Sequence, residues 1–331
     1  MTPILAAVIA LGVQTWSTDV AAVQRFWRAA DDLGYARITY GDGLWDFTHD
    51  GWTMLGVLAT TTRWARIGPA VTYAFDPAAH HPSWLAKRAV TVDHLSGGRL
   101  DLRVAVGAGD AATRAAWQRH GIHYPSGARR LAAVEEALAA IGALWRGEEV
   151  DMEGRVFRLR GARLAPPPIQ RPGPPLWIAA MGPRALALTA RRADGWEASY
   201  LSPAAFAALG ARLDALLAAA GRHRADVRRS VELDVILAGS ASERAALMHR
   251  FAAERGVAPG HVILDTALVG DAEAVAARIA DYAAAGATDL MLGFVDFPAT
   301  GMLERFAREV VPRLARNGPA AAPLRPATGG R

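Results

Sequence analysis

Eight short apolar runs, at 8–13, 36–40, 66–72, 100–106, 176–180, 195–198, 231–237 and 289–292, alternate along this chain with longer stretches patterned as helices. The helical stretches fall at 20–33, 83–95, 130–144, 183–192, 204–219, 241–255 and 272–285. A strand that is apolar along its whole length has both faces covered, which is the signature of a parallel sheet flanked by helices. Eight such units favour an α/β fold of the (β/α)8 TIM type over an open sheet. Residues 146–175 read as an insertion between strands four and five. Residues 149–159 alternate around Glu153-Gly154 as a hairpin does, and Ala165-Pro-Pro-Pro168 with Arg171-Pro-Gly-Pro-Pro175 forms a stiff non-helical connector. One domain is expected over 1–316. The Ala/Pro/Gly-rich tail, 317–331, is expected to be disordered.

Composition narrows the function classes. The chain has 331 residues, 52% hydrophobic and 21% charged, enough apolar mass for a large core. It has no cysteine, which removes disulfides, thiolate nucleophiles and Cys-ligated metals. The net charge of +5 comes almost wholly from arginines scattered along helices, and Lys87 is the one lysine. Isolated guanidinium forks suit a phosphate-bearing small molecule better than nucleic acid. The apolar amino terminus has no basic leader and is too short to span a bilayer, so a cytoplasmic protein without membrane contact is expected.

In a barrel the active site lies where strands end. Gln14, Thr15 and Trp16 follow strand one, and Asp42, Gly43 and Trp45 follow strand two. Tyr73, Phe75, His80 and His81 follow strand three, Gly107-Ala108-Gly109-Asp110 strand four, and Met181-Gly182-Pro183-Arg184 strand five. This rim reads as aromatic, small and polar, with few charges. No lysine ends a strand, so Schiff-base chemistry lacks its nucleophile. The adjacent His80 and His81 diverge on any regular element, and Gly121 interrupts the pair His120 and His123, so no metal site is expected. Gly107-Ala108-Gly109 and Met181-Gly182-Pro183 each let backbone approach a ligand before a helix begins, an arrangement suited to an anion. Trp16, Trp45 and Tyr73 at one mouth suit a flat ring.

Five segments together resemble the luciferase-like superfamily of flavin- and deazaflavin-dependent oxidoreductases. They are the amino-terminal strand with Gly12-Val13; Ile67-Gly68-Pro69-Ala70-Val71-Thr72; Leu95-Ser96-Gly97-Gly98-Arg99; Ile178-Ala179-Ala180-Met181-Gly182-Pro183 running on to Ala193-Asp194-Gly195-Trp196; and Val269-Gly270-Asp271 leading to Ala285-Gly286-Ala287. Gly107-Ala108-Gly109-Asp110 with Ala112-Thr113 is similar to the methylenetetrahydromethanopterin reductase branch, which uses coenzyme F420. The resemblance implies a barrel with an insertion and hydride transfer between F420 and a small organic substrate. The alternatives are a monooxygenase using reduced FMN, served by a flavin reductase, and a non-catalytic flavin-binding barrel. It further implies a homodimer and a non-prolyl cis peptide at Ala70–Val71. Asp42 would face the ring; Tyr73, Ala108, Gly109 and Thr113 would line the pocket; Met181, Gly182, Arg184 and Ala185 would hold the phosphate end. Asp42 and Asp110 are the candidate acid and base. Where the sugar-phosphate dehydrogenase branch carries a histidine this chain has Gly43, which argues against that substrate.

Overall fold

A computed structural model describes residues 5–6, 9–76 and 79–317. Eight parallel strands form one sheet: β1 (Ile9–Thr15), β2 (Arg37–Tyr40), β3 (Arg66–Pro69), β4 (Leu102–Ala105), β5 (Leu176–Ala179), β6 (Gly195–Ser199), β7 (Arg228–Leu237) and β8 (Asp289–Phe294). Their order, β3-β2-β1-β8-β7-β6-β5-β4, is sequential around a ring. The ring is completed between β3 and β4 by parallel bridges at Ile67–Leu100 and Thr72–Val104. There Thr72 donates its backbone N–H to Arg103 and accepts from Ala105, at 2.9 and 3.0 Å. The molecule is the expected α/β barrel.

All eight expected strands are present, with shifted ends. β1 runs two residues further, to Thr15, and β7 begins at Arg228 rather than at 231. The structure adds two short strands, Leu5–Ala6 antiparallel to β1 and Leu268–Gly270 parallel to β7. It also adds a helix, Gly51–Thr61, started by the Asp50 carboxylate accepting from Thr53 N–H. The insertion between β4 and β5 carries the hairpin Val150–Glu153 with Arg158–Ala162. Its Pro-rich connector is tied to the start of β4: Asp93 accepts from the backbone of Ile169 and Gln170, and Gln170 Nε2 donates to Leu100. The tail expected to be disordered lies, from residue 318, outside the described residues; Asn317 ends the helix Val311–Asn317. No described helix is long and apolar enough to cross a membrane.

The Ser96-Gly97-Gly98-Arg99 turn has a structural purpose. Helix Pro82–Ser96 ends at Gly97 with φ of +66°, a left-handed conformation that glycine adopts without a Cβ penalty. The reversal aims Arg99 back beneath the sheet. Its guanidinium donates to the carbonyls of Ala59, Thr62, Ala65 and Ser96 and to Thr62 Oγ1, at 2.7–2.9 Å. One side chain thus ties helix Gly51–Thr61, the approach to β3 and the approach to β4. Arg99→Ala leaves these carbonyls without a donor and is expected to lower unfolding stability by about 3 kcal/mol in a urea titration.

Candidate active site

Parallel strands in a closed ring place every strand end on one face. On that face a cavity of about 980 Å³ opens. Four chain segments wall it: Ala70, Val71 and Tyr73 beyond β3; Ala105–Gly109 at the end of β4; Ala179–Ala185 at the end of β5; and Gly127, Ala128 and Leu131 of helix Gly127–Trp145. Glu197 and Ser199 of β6 and Glu232 of β7 reach it from the barrel wall, and Trp45 from the loop after β2. The Ala70–Val71 peptide is cis.

Local interactions set each wall. Gly107 has φ of +83°, and a Cβ there would stand 2.5 Å from the Tyr124 hydroxyl, so only glycine passes beneath that ring. The loop is then pinned from below. Arg130 donates to the carbonyls of Val106 and Ala108 at 2.9 Å, and Tyr124 Oη donates to Ala108 at 2.7 Å. Arg130 also stacks on Tyr124, 4.3 Å from the ring centre. Across the cavity, helix Pro183–Arg192 starts at Gly182 with no side chain capping its free N–H groups. Nothing would lie within 4 Å of a Cβ on Gly182, and Arg184 beside it is exposed. An uncapped helix start plus a guanidinium is an anion site in its electrostatics. Trp45, Tyr73 and Trp117 form an edge-to-face aromatic wall, with Tyr73 centred 6.2 Å from Trp45 and 5.5 Å from Trp117.

Nine of the twelve residues singled out in the sequence line this cavity: Ala70, Val71, Tyr73, Ala108, Gly109, Met181, Gly182, Arg184 and Ala185. Asp42, Asp110 and Thr113 are not among its lining residues. Asp110 is the exposed N-cap of helix Ala111–Arg119, accepting from Thr113 N–H at 2.7 Å and Thr113 Oγ1 at 2.8 Å. Those bonds hold its carboxyl below the usual range. Asp42 is buried beside the cis peptide, where Thr72 Oγ1 donates to it at 2.6 Å while accepting from Trp52 Nε1 at 3.0 Å. Burial pushes Asp42 up, countered by His80, whose Nε2 is 3.9 Å away, and by the Thr72 bond. Trp16 also sits elsewhere, 5.6 Å from Phe297 and under the Arg255 guanidinium.

The strands themselves add charge that the rim after them does not carry: Glu197 and Glu232 line the cavity, and Asp234 neighbours Glu232. Glu197 pairs with Arg103, which is fully buried, stacked 4.5 Å from the Trp177 ring and lowered by burial to about 10. Glu232 accepts from Ser199 Oγ at 2.9 Å and Tyr200 Oη at 3.1 Å. Asp234, two residues further along β7 and so on the same face, accepts from Arg255 at 3.0 Å. Burial pushes Asp234 up to about 7; Arg255 pulls it down and Glu232 pushes it up. The signal was the alternation Val231-Glu232-Leu233-Asp234-Val235, polar on one face only.

The model of the luciferase-like monooxygenase family matches residues 5–289. The chain belongs to that family. Among curated proteins, this luciferase-like chain is 33% identical over 202 residues to the 5,10-methylenetetrahydromethanopterin reductase of Archaeoglobus fulgidus, covering 60% of this chain and 54% of the relative. It is 37% identical over 154 residues to the phthiodiolone/phenolphthiodiolone dimycocerosates ketoreductase of Mycobacterium kansasii, covering 46% and 39%. The chain thus spans about half the length, or less, of these relatives. In fold it resembles the coenzyme F420 dependent tetrahydromethanopterin reductase of Methanopyrus kandleri, with a TM-score of 0.76 at 18% identity over 93% of this chain and 100% of the other. It is equally similar to a riboflavin lyase with modified FMN and riboflavin, at 0.78 and 17% over 95% and 92%. The fold is thus shared by proteins using either cofactor.

Asp234 gives a pH signature. A carboxyl near 3.9 when unfolded and near 7 when folded binds more protons in the native state between those values, so stability falls as pH rises through that window. Asp234→Asn removes the titration. The melting temperature of wild type relative to D234N is expected to drop as pH is raised from about 4 to about 7.

Proposed function

We propose that this luciferase-like chain is an F420-dependent oxidoreductase that transfers a hydride between the deazaflavin and a small organic substrate. The observation that carries this reading is the convergence, on one cavity, of an aromatic wall, a glycine loop and an uncapped helix start beside Arg184. A flat ring needs the first two and a charged tail the third. The residues fit such a group. Tyr73, Trp45 and the Ala70–Val71 peptide would flank the ring, and Gly107–Gly109 would lie along it. Gly182, Arg184 and Ala185 would hold the phosphate.

The bound cofactor supplies the hydride-carrying ring carbon. The chain's own part is to orient the ring against the wall at β3, shield it from water and keep an acid within reach. Asp42 would act here by fixing Thr72, and with it the end of β3, rather than by touching the ring. Asp110 would shape the Gly107–Gly109 loop through its cap on Thr113.

The names of the sequence relatives favour a reductase over a monooxygenase. The proteins at 33–37% identity carry the names of a reductase and a ketoreductase, both of which imply reduction rather than oxygen insertion. The second reading, a monooxygenase using reduced FMN supplied by a flavin reductase, is favoured by the family's own name. Titrating the purified protein with F420 and with reduced FMN separates the two. Saturable quenching of F420 fluorescence is expected, without oxygen consumption on adding reduced FMN; the opposite pattern selects the monooxygenase, and binding of neither removes both. Gly182→Asp, which places a negative charge beside the tail, is expected to weaken F420 binding by about 100-fold, or ~3 kcal/mol of charge repulsion. Unchanged affinity would take the helix start out of the site.

A further inference from the structure

Reducing a polar double bond requires a proton as well as a hydride, and Asp110, Asp42 and Glu197 are badly placed to give one. Asp110 is exposed on an outer helix, Asp42 is outside the cavity lining, and Glu197 is committed to Arg103. No histidine lines the cavity. Glu232 differs on each count. It lines the cavity, and among the described residues no arginine, lysine or histidine forms an ion pair with it; its two oxygens take neutral hydroxyls from Ser199 and Tyr200.

The partner Tyr200 is held in an unusual way. Its φ is +52°, the one left-handed non-glycine residue among those described, and its N–H donates to the Glu232 carbonyl at 3.0 Å. Backbone in that region is uncommon for an aromatic residue, and such outliers gather at functional sites. Here the conformation folds the ring back so that one hydroxyl meets Glu232 Oε1 and also faces Asp234. Behind it, Asp234 Oδ1 is held by Arg255, while Oδ2 is fully buried without a hydrogen-bond partner. A carboxylate oxygen buried without a donor is a poor place for negative charge and a good one for a proton.

We propose that Glu232 exchanges the substrate proton, with Tyr200 and Asp234 as a proton reserve behind it, and that the substrate is therefore one whose C=O or C=N bond is reduced. The inference rests on the cofactor reading above. The step balances. With reduced F420 bound, the cofactor would supply the hydride to the carbon and be left oxidised, and the Glu232 carboxyl would give its proton to the oxygen or nitrogen. Tyr200 then passes its hydroxyl proton to Glu232 and takes one from Asp234, whose carboxylate is left against Arg255 and reprotonated from solvent. The reverse sequence oxidises an alcohol or amine. Glu232 is the catalytic group; Tyr200 and Asp234 act through it. The charged and titratable groups facing the pair are Arg255, Tyr200, Arg103 and Tyr73. Arg255 disfavours the proton on Asp234, and the neighbouring Glu232 carboxylate favours it there.

The test uses the full chain with F420 as probe. Calorimetric titration near pH 7 in two buffers of different ionisation heat counts the protons taken up as the ring covers the cavity. Infrared difference spectra of bound against free protein report a neutral carboxyl directly. Wild type is expected to take up a fraction of a proton and to show the neutral-carboxyl band. Glu232→Gln, with F420 still bound, is expected to lose the Glu232 share of both, leaving what Asp234 contributes, and Asp234→Asn or Tyr200→Phe to move the midpoint of the uptake profile on the pH axis. Uptake in E232Q equal to wild type overturns the role of Glu232. A profile unmoved in both Y200F and D234N overturns the reserve. Wild type that binds F420 with no uptake overturns the proposal while leaving the cofactor reading intact; wild type that does not bind F420 overturns both.

Discussion

The inside of this barrel is held by charge rather than by aliphatic packing alone. At the amino-terminal end of the strands, Arg37 pairs with both Asp101 and Asp289, Arg66 with Asp101, and Arg228 with Asp289. Above them Trp177 lies within 5.0 Å of the Arg37 guanidinium and 4.5 Å of Arg103, which pairs in turn with Glu197. Burial alone would push Asp101 up, but Arg66 and Arg37 more than offset it and hold it low. Buried charges are tolerable only when each is paired, and deleting one partner strands the others at a cost of about 3–5 kcal/mol. The network therefore acts as a floor. It lies at the amino-terminal end of the strands, opposite the end at which the cavity is lined.

That floor also sets the polarity of the site. Among the residues lining the cavity above it are the carboxylates Glu197 and Glu232, whereas the rim on the β4–β5 side offers Arg184 and an uncapped helix start. A ligand lying across the cavity thus meets a surface suited to negative charge at the outside and acid groups further in. A planar redox cofactor with a phosphate tail matches that gradient in only one orientation, with the tail outward and the ring toward the acids.

Much of this was legible in the sequence. Apolar runs gave the barrel strands because a strand covered on both faces has little choice of residue, and glycine-bearing turns gave the loops after β4 and β5. Helix Gly51–Thr61 escaped notice because it is apolar nearly all round and rich in threonine, so no helical stripe stands out. Leu268–Gly270 is too short to carry a pattern. Asp110 in Asp-x-x-Thr before a helix is a cap as well as a candidate acid, and the pattern alone does not separate the two. The acids of β6 and β7 are harder to see because they lie within strands rather than after them. In a barrel, alternate residues within a strand point inward, and there polarity is itself a signal. What no pattern in the chain discloses is that Tyr200 turns left-handed to join two of those acids.

The most direct measurement is a crystal structure of the protein with F420 or FMN bound. The ring is expected between the Ala70–Val71 peptide and the Glu232 side of the cavity, with the phosphate on the N–H groups following Gly182. A ring lying outside the barrel mouth, or a phosphate seated away from the start of helix Pro183–Arg192, would contradict that placement.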